Sequence, residues 1–580
     1  MAPTIPIIRS LSLSVIRLSS FMELCNLCER IERTESRTVM VNLAADYLRR
    51  LDEASLPIAA LMVIGEVFPA WDQRELDIST LTLLKVVKRL LKIGDEDFLK
   101  AFNETGDLGN TLMGLFKAKK PVKQYTLTPS SEALTVTDVY GFLVKMAEAK
   151  GLYSRRVKER LLEALFSRLT PLEAKYAAKL IVKERRYGFG ENLLEEALTR
   201  AFNVPLEDVR RANMITSDIG LVAKTSMKYG VNGLRSLSIT VFHPLKPMLA
   251  ENVGSITEAL KEHGYTTALE YKLDGARVQL HKRGGEIRIY SRHLKDITTS
   301  IPEVVSLTLN ELNAESCIVE GEVVALGVDG RLRPFQYVMR RFRRVKDIQE
   351  MVKELPVKLY LFDVLYMNGK ELIDEPYVKR RDLLEQVAGD IPLVKRLITG
   401  NVKEAEAFFK EALSIGCEGV MAKSLQSPYT PGVRGRRWLK VKATPLTLDL
   451  VIVAAEYGYG YRYKWLSNYT LAAYNPRTGA FEPVGKCFTG LRDDEIIYMT
   501  ERLKALSIAK YGRTLIVKPE VVVEVGFAEV QRSPHYRAGY ALRFPRILRV
   551  REDKGPFEAD TIDKVRELYD IEFKAPTSAL

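Results

Sequence analysis

Between Tyr265 and Leu280 the chain alternates on both sides of a tight turn, and that pattern commits its middle to β-sheet. Tyr265, Thr267, Leu269 and Tyr271 share one face, Asp274-Gly275 supplies the turn, and Val278 and Leu280 resume the alternation. Lys272 is thereby carried at the rim of a sheet, by backbone rather than by a loose loop. An unperturbed lysine, with a pKa near ~10.4, is protonated at neutral pH and cannot attack phosphorus or carbonyl carbon. A nucleophilic Lys272 therefore needs neighbours that lower its pKa or take its proton.

Ordinary residue usage produces Lys-x-Asp-Gly by chance in roughly one chain in five or ten of this size. Taken alone, the tetrapeptide fits a surface lysine beside a hairpin equally well. An ordered series follows it, however: Ser291-Arg292, Val319-Glu320-Gly321-Glu322, Leu361-Phe362-Asp363 with Asn368-Gly369, Cys417-Glu418-Gly419-Val420-Met421, Trp438-Leu439-Lys440-Val441-Lys442, and Leu542-Arg543-Phe544-Pro545-Arg546 through Arg551-Glu552-Asp553-Lys554. This series resembles the signature motifs of covalent nucleotidyltransferases, and most closely those of ATP-dependent DNA ligases of the archaeal and eukaryotic replicative type. The likeness runs from about residue 22 to the C-terminus.

The chemistry of such a site can be built from these residues. An amine that attacks the α-phosphorus of a nucleotide and expels pyrophosphate leaves a phosphoramide, dividing one hard displacement into easier ones. The triphosphate must be neutralised, by Mg²⁺ or Mn²⁺ and by fixed cations, for which Arg277, Arg292, Lys440 and Lys442 are the candidates. The same cations disfavour protonated Lys272, joining binding to activation. Glu322 and Glu418, each beside an apolar run, supply the oxygen ligands a hard cation prefers.

The resemblance implies further roles. Glu322 lies by the nucleotide sugar or a metal, and Glu418 holds a metal. Glu320 shares a strand face with Glu322, and the choice of Glu322 between them rests on the family pattern. Glu270 contacts the adenine amino group, Phe362 stacks on the base, and Arg434, six residues before Lys440, is preferred over Arg436 and Arg437 as a nucleotide contact. Arg546, Arg549, Arg551, Asp553 and Lys554 orient the pyrophosphate during self-adenylation. ATP is the implied co-substrate and nicked double-stranded DNA the implied partner, in replication, repair and recombination. ADP or GTP use stays open.

Composition points the same way. The chain has 87 basic against 74 acidic residues and a formal charge of +13, which suits a polyanionic partner. No run of eighteen uncharged apolar residues marks a membrane span. Five cysteines form no disulfide framework, and Cys25-x-x-Cys28 is half a zinc pattern without its second half. A monomer in the cytoplasm, associated with the nucleoid, is expected.

Three domains are expected after a stretch, 1–21, that is an extension or a mis-assigned start. Residues 22–238 read as an all-α DNA-binding domain, with helical spacing over Thr80–Ile93, Val136–Lys150 and Lys158–Arg168. Leu172 to Asn192 resembles the helix-loop segment whose amides and basic side chains hold DNA phosphates. Residues 239–444, opened by His243-Pro244, read as an α+β adenylation domain, with Arg340 to Arg344 as a basic patch facing phosphate. Residues 445–580 read as an all-β domain, an OB-fold by family likeness, with strands at Leu448–Glu456, Tyr469–Asn475, Phe481–Phe488 and Val521–Val530. A sliding-clamp peptide is expected near Lys123–Leu127, although it lacks paired aromatics, and hinges are expected near residues 240 and 445. The alternatives are an RNA ligase, a capping-type transferase, or a DNA-binding protein with a dead transferase core.

Overall fold

The computed structural model describes residues 19–119, 133–184, 188–327, 332–333, 335–342, 348–432, 434–442, 446–459 and 462–574. The N-terminal stretch through residue 18 and the clamp-type segment Lys123–Leu127 lie outside them. The contacts divide the chain into two compact units. Among the described residues, one holds those from 19 to 92 and from 116 to 442; the other holds 93–115 and those from 446 to 574.

From Phe21 to Ser236 the described chain is helical. The expected helices are found as Thr80–Leu91, Val136–Glu148 and Ser154–Phe166. Their ends obey capping chemistry: Thr135 accepts from the amide of Asp138, and Thr170 from that of Glu173 behind Pro171 at the first helical position. Helix Pro171–Ile181 lies against helix Phe21–Glu32 through a buried charge cluster. Lys175 reaches Glu29 and Glu32 at 2.8 and 2.7 Å, and Lys179 reaches Glu32 at 2.9 Å. These two lysines, 3% and 2% exposed along their side chains, are thus spent inside the protein rather than offered to DNA phosphates. Cys25 and Cys28 lie on the buried face of the first of these helices, and burial pushes the Cys28 thiol up to about 12. Among the described residues no helix is long and apolar enough to cross a membrane.

The next region is built on two sheets. Its strands are β1 (Leu249–Val253), β2 (Thr267–Lys272), β3 (Ala276–Arg283), β4 (Glu286–Ser291), β5 (Ser316–Leu326), β6 (Leu332–Arg333), β7 (Val357–Met367), β8 (Lys370–Glu371), β9 (Arg396–Thr399), β10 (Gly419–Lys423) and β11 (Arg434–Lys442). One sheet has the order β1-β11-β10-β2-β9; the other runs β4-β3-β5-β7-β8, with β6 on β5. The Asp274-Gly275 turn sends the chain from β2 in the first sheet to β3 in the second. Residues 237–248 lead into this region already strapped down. The Leu245 amide donates to Gln279, that of Phe242 to His281 Nδ1 and that of Met248 to Tyr429 Oη, at 2.8 to 2.9 Å. Leu245 and Met248 also enter a core with Ile318, Leu365 and Trp438. The segment near residue 240 is therefore bonded along its length in this structure.

Helix Phe335–Phe342 turns one member of the expected basic patch inward. Arg341 is 1% exposed and donates to Glu303 and to the carbonyls of Ser300 and Leu355. It braces the helix ends rather than facing phosphate; residues 343–347 lie outside the described segments.

The second unit carries β12 (Leu446–Tyr457), β13 (Leu466–Asn475), β14 (Ala480–Cys487), β15 (Ser507–Tyr511), β16 (Thr514–Phe527), β17 (Glu529–Arg532), β18 (Tyr540–Arg543) and β19 (Arg546–Val550). The order β14-β13-β12-β16-β15, with β19 on β16, makes one antiparallel sheet, and β17 pairs β18. Leu450, Ile452, Leu471, Val523 and Val525 alternate into its core. Residues 93–115 cluster with these strands rather than with the other helices. There the Arg513 guanidinium lies against Gly106, a helix-ending glycine at φ +62°; a Cβ on it would meet Nη1 at 3.1 Å.

The deepest ion pair of the first unit joins Asp363 of β7 to Arg380 of helix Tyr377–Val387, both side chains fully buried, at 2.8 and 3.0 Å. Asp363→Ala leaves the guanidinium buried with no counter-charge and is expected to cost about 3–5 kcal/mol. Urea unfolding of wild type and variant measures the difference.

Candidate active site

Strand register assembles the first wall of the site. Across β2, β10 and β11, Lys272 pairs with Gly419 and Gly419 with Lys442; Glu270 pairs with Met421 and Met421 with Lys440; Ala268 pairs with Lys423 and Lys423 with Trp438. Directly paired residues of antiparallel strands share a face. Glu270, Lys272, Lys423, Trp438, Lys440 and Lys442 therefore line one side of the sheet.

Glycine makes the close approach possible at two points. Gly419 has φ +147°, and a Cβ there would stand 2.1 Å from the Val441 carbonyl oxygen. At Gly275 a Cβ would stand 2.6 Å from the Val323 carbonyl oxygen and 2.9 Å from Glu322 Cγ. The first glycine lets Glu418 sit between two lysines; the second brings the turn after Lys272 onto β5.

The Glu418 amide donates to the Lys272 carbonyl at 2.9 Å, which fixes the two main chains together. Glu418 Oε2 lies 3.0 Å from Lys272 Nζ and also pairs with Lys442 Nζ. Burial pushes the Glu418 carboxyl up, but Lys272 and Lys442 outweigh it and hold the group below its ordinary value. The nucleophile candidate is thus not ringed by cations alone. A shared carboxylate stands between the two amines, because β10 delivers it there.

The facing wall comes from β3, β5 and β7. Arg277 pairs in register with Glu322, and Gln279 with Glu320. Glu320, 1% exposed, takes Arg277 Nη2 at 2.7 Å, while Arg277 also donates to the Met248 carbonyl at 2.7 Å and to Tyr429 Oη at 3.0 Å. The two acids of Glu320-Gly321-Glu322 are thereby told apart: Glu320 anchors Arg277, and Glu322 is left toward Lys272. Burial pushes the Glu322 carboxyl up to about 8, against the pull of Lys272 and Arg277 and with the push of Glu418 and Asp274.

Phe362 reaches the site through a bulge. Asp363 pairs with Glu320 and Leu361 with Gly321, so Phe362 is an extra residue in β7 with no opposite number. Its half-buried ring meets Trp438 edge-on at 6.4 Å, with Arg277 5.4 Å and Lys423 4.7 Å from its centre.

Glu270 is 2% exposed and already engaged: Tyr377 Oη and Arg381 Nη1 donate to Oε1, and Lys423 Nζ pairs with Oε2 at 2.5 Å. Burial lowers the Lys423 pKa, with Glu270 opposing. Tyr377, Arg381, Lys423 and Tyr429 carried no role in the sequence reading. Tyr377 and Arg381 stand one helical turn apart on an apolar-spaced helix, which was the available signal. Arg292 is exposed in the turn after β4, one residue past Ser291, which pairs with Val278 beside Arg277. Arg434 begins β11, and its side chain is not among those described. Arg436 turns away to Glu262 at 2.8 Å.

Arg546, Arg549, Arg551, Asp553 and Lys554 belong to the second unit. Arg546 is exposed, and Arg549 pairs with Glu524 at 2.6 Å. Arg551 pairs with Asp553 at 2.7 Å and with Asp449 at 2.8 Å, and Lys554 meets the same Asp449 at 2.7 Å.

Glu322 and Glu418 fit a divalent cation. Glu322 is a half-buried carboxyl whose desolvation outweighs the pull of Lys272 and Arg277, and Glu418 is held ionised beside it. Two carboxylate oxygens, completed by phosphate and water, are a ligand set Mg²⁺ accepts. In the metal-free protein the folded state keeps a Glu322 proton up to about 8 that the unfolded chain releases from about 4.5, so the stability this group contributes is lost as pH rises between those two values. Glu322→Gln is therefore expected to melt above wild type at pH 9, with the gap closing toward pH 5; thermal scans without metal or nucleotide measure it, and a pH-independent gap would refute the assignment.

Three family models match the chain: a DNA ligase N terminus over residues 20–199, an ATP dependent DNA ligase domain over 247–442, and an ATP dependent DNA ligase C terminal region over 462–554. A DNA ligase of Thermococcus onnurineus is 43% identical over 560 residues, covering 96% of this chain and 99% of that protein. DNA ligase 1 of Korarchaeum cryptofilum is 44% identical over 553 residues, 95% of this chain and 98% of its own. The solved structure named Pmar-Lig_Pre covers 91% of this chain and 99% of its own at 17% identity, with a TM-score of 0.54, and so shares the fold. Motif order, site geometry and these matches agree: the chain belongs to the ATP-dependent DNA ligase family.

Proposed function

We propose that this protein seals nicks in double-stranded DNA through a covalent lysyl-AMP. The observation that carries the reading is Lys272 at the end of β2, bonded through its own carbonyl to Glu418 and facing Glu322 across the two sheets.

Lys272 Nζ attacks the α-phosphorus of ATP; an N–P bond forms, the bond to the bridging oxygen breaks, and pyrophosphate leaves. The 5'-phosphate at a nick then takes AMP from the lysine, and the 3'-hydroxyl attacks that phosphate and expels AMP. Glu418 and Glu322 would hold Mg²⁺ or Mn²⁺, which supplies charge neutralisation at the phosphates. Before attack Lys272 must shed a proton. Lys272, 21% exposed along its side chain, gives that proton to solvent, while Glu418 Oε2, at 3.0 Å, aims the amine and stays ionised beside Lys442. Lys440 and Lys442, with Arg292 and Arg434, act as the phosphate cations. Arg277, paired with Glu320, fixes the wall of the nucleotide site. Phe362 stacks on the base and Glu270 meets its amino group. The segment Arg546 to Lys554 orients the leaving pyrophosphate, since in-line geometry is a large part of phosphoryl-transfer catalysis.

The helical region, about 22–238, is the part read as gripping the duplex backbone, 239–444 as the adenylation domain, and 445–580 as an OB-fold, a reading supported by its antiparallel sheet with the β17–β18 ribbon. Nicked DNA is the substrate, and the protein acts as a monomer.

Incubation with α-labelled ATP and Mg²⁺, followed by a denaturing gel, tests the covalent step. Label is expected on wild type and absent from Lys272→Ala, and label retained by the variant would sink the assignment. Sealing of nicked DNA but not nicked RNA by the same preparation is the expected second outcome.

A further inference from the structure

Arg551 and Lys554 converge on a carboxylate outside the Arg543–Lys554 segment. Asp449 Oδ2 accepts from Arg551 Nη1 at 2.8 Å and from Lys554 Nζ at 2.7 Å. Asp449 lies on β12 and is 8% exposed; its Oδ1 is buried with no hydrogen-bond partner among the described residues. Its main chain is clamped from both sides. The Asp449 amide donates to Asp560 Oδ2 and its carbonyl accepts from the Asp560 amide, each at 2.8 Å, while Glu524 pairs with it across β12 and β16.

The two cations are not equivalent. Arg551 spends Nε and Nη2 on Asp553 at 2.9 and 2.7 Å and Nη1 on Asp449, and its amide donates to the Val522 carbonyl at 2.8 Å. Its guanidinium is tied to carboxylates on both sides. Lys554 is more exposed, 31% against 15%, and gives Asp449 one of the three donors an ammonium carries. Without Asp449 the two positive groups would repel each other at short range. A releasable latch would sit on an exposed, loosely held side chain; Asp449 is buried in a central strand and bonded through its backbone.

We propose that Asp449 is a positioning residue for self-adenylation: with Arg551 as a strut, it presents the Lys554 ammonium to the pyrophosphate leaving group and does not touch the nucleotide itself. The inference rests on the role proposed above for the Arg546–Lys554 segment. Only the first of the three displacements releases pyrophosphate, so only that step should depend on Asp449.

The two half-reactions are measured separately on the full-length protein: label transfer from α-labelled ATP to the protein, and sealing of a pre-adenylated nick without ATP. Asp449→Asn is expected to slow label transfer on the order of 100-fold, the scale of a small misplacement of a catalytic group, and to leave sealing at the wild-type rate. Asp449→Glu should restore part of the loss. In a Lys554→Met background, Asp449→Asn should add nothing further, because it acts through that lysine. Equal loss in both half-reactions, additive losses, or faster label transfer from Asp449→Asn would each overturn the proposal. If Lys554→Met and Arg551→Met both take label at the wild-type rate, the role of the segment fails instead.

Discussion

The salt bridge through Glu418 is the interaction on which the site depends. Lys272 on β2 and Lys442 on β11, the two strands that flank β10, would repel each other if brought to one edge alone. A carboxylate supplied by the residue that leads into β10 removes that repulsion and sets their spacing. Gly419 pairs with both Lys272 and Lys442, and its φ of +147°, open to glycine, turns Glu418, the residue just before β10, back between the two amines, so a side chain at 419 would displace the carboxylate and leave the amines unbalanced. Register here is electrostatics written into hydrogen bonding.

The opposite wall follows the same logic with different signs. Arg277 is neutralised by Glu320 and pinned by Met248 and Tyr429, so its charge is scaffold, and Glu322 carries the unbalanced group of that sheet. Burial raises Glu322 while neighbouring cations lower it, and burial wins. A site arranged this way is short of positive charge at one carboxylate, which is the condition a cation and its phosphates relieve.

Much of this was legible in the chain itself. Alternation around Lys272 located β2 and β3 to within a few residues, and helical spacing located the helices ending at Leu91, Glu148 and Phe166. Strand-borne motif residues were readable because period two puts them on a common face. What escaped was whatever depends on partners distant in sequence. Lys175, Lys179 and Arg341 read as surface cations, yet each is buried against a glutamate more than thirty residues away. The bulge that frees Phe362 has no composition signal of its own. The expected single strand Val521–Val530 divides at Ala528 into β16 and β17, since an apolar run does not reveal where one pairing partner yields to another.

The clamping of Lys272 carries a consequence for transport. Its main chain is bonded to Glu418 on one side, and the Tyr271 amide donates to the Lys395 carbonyl on the other at 3.2 Å. The strand cannot follow its cargo. A nucleotidyl group taken up here travels only as far as four methylenes allow, so the lysine works as a short crane on a fixed mast, and the phosphate that receives the load must be brought beneath it.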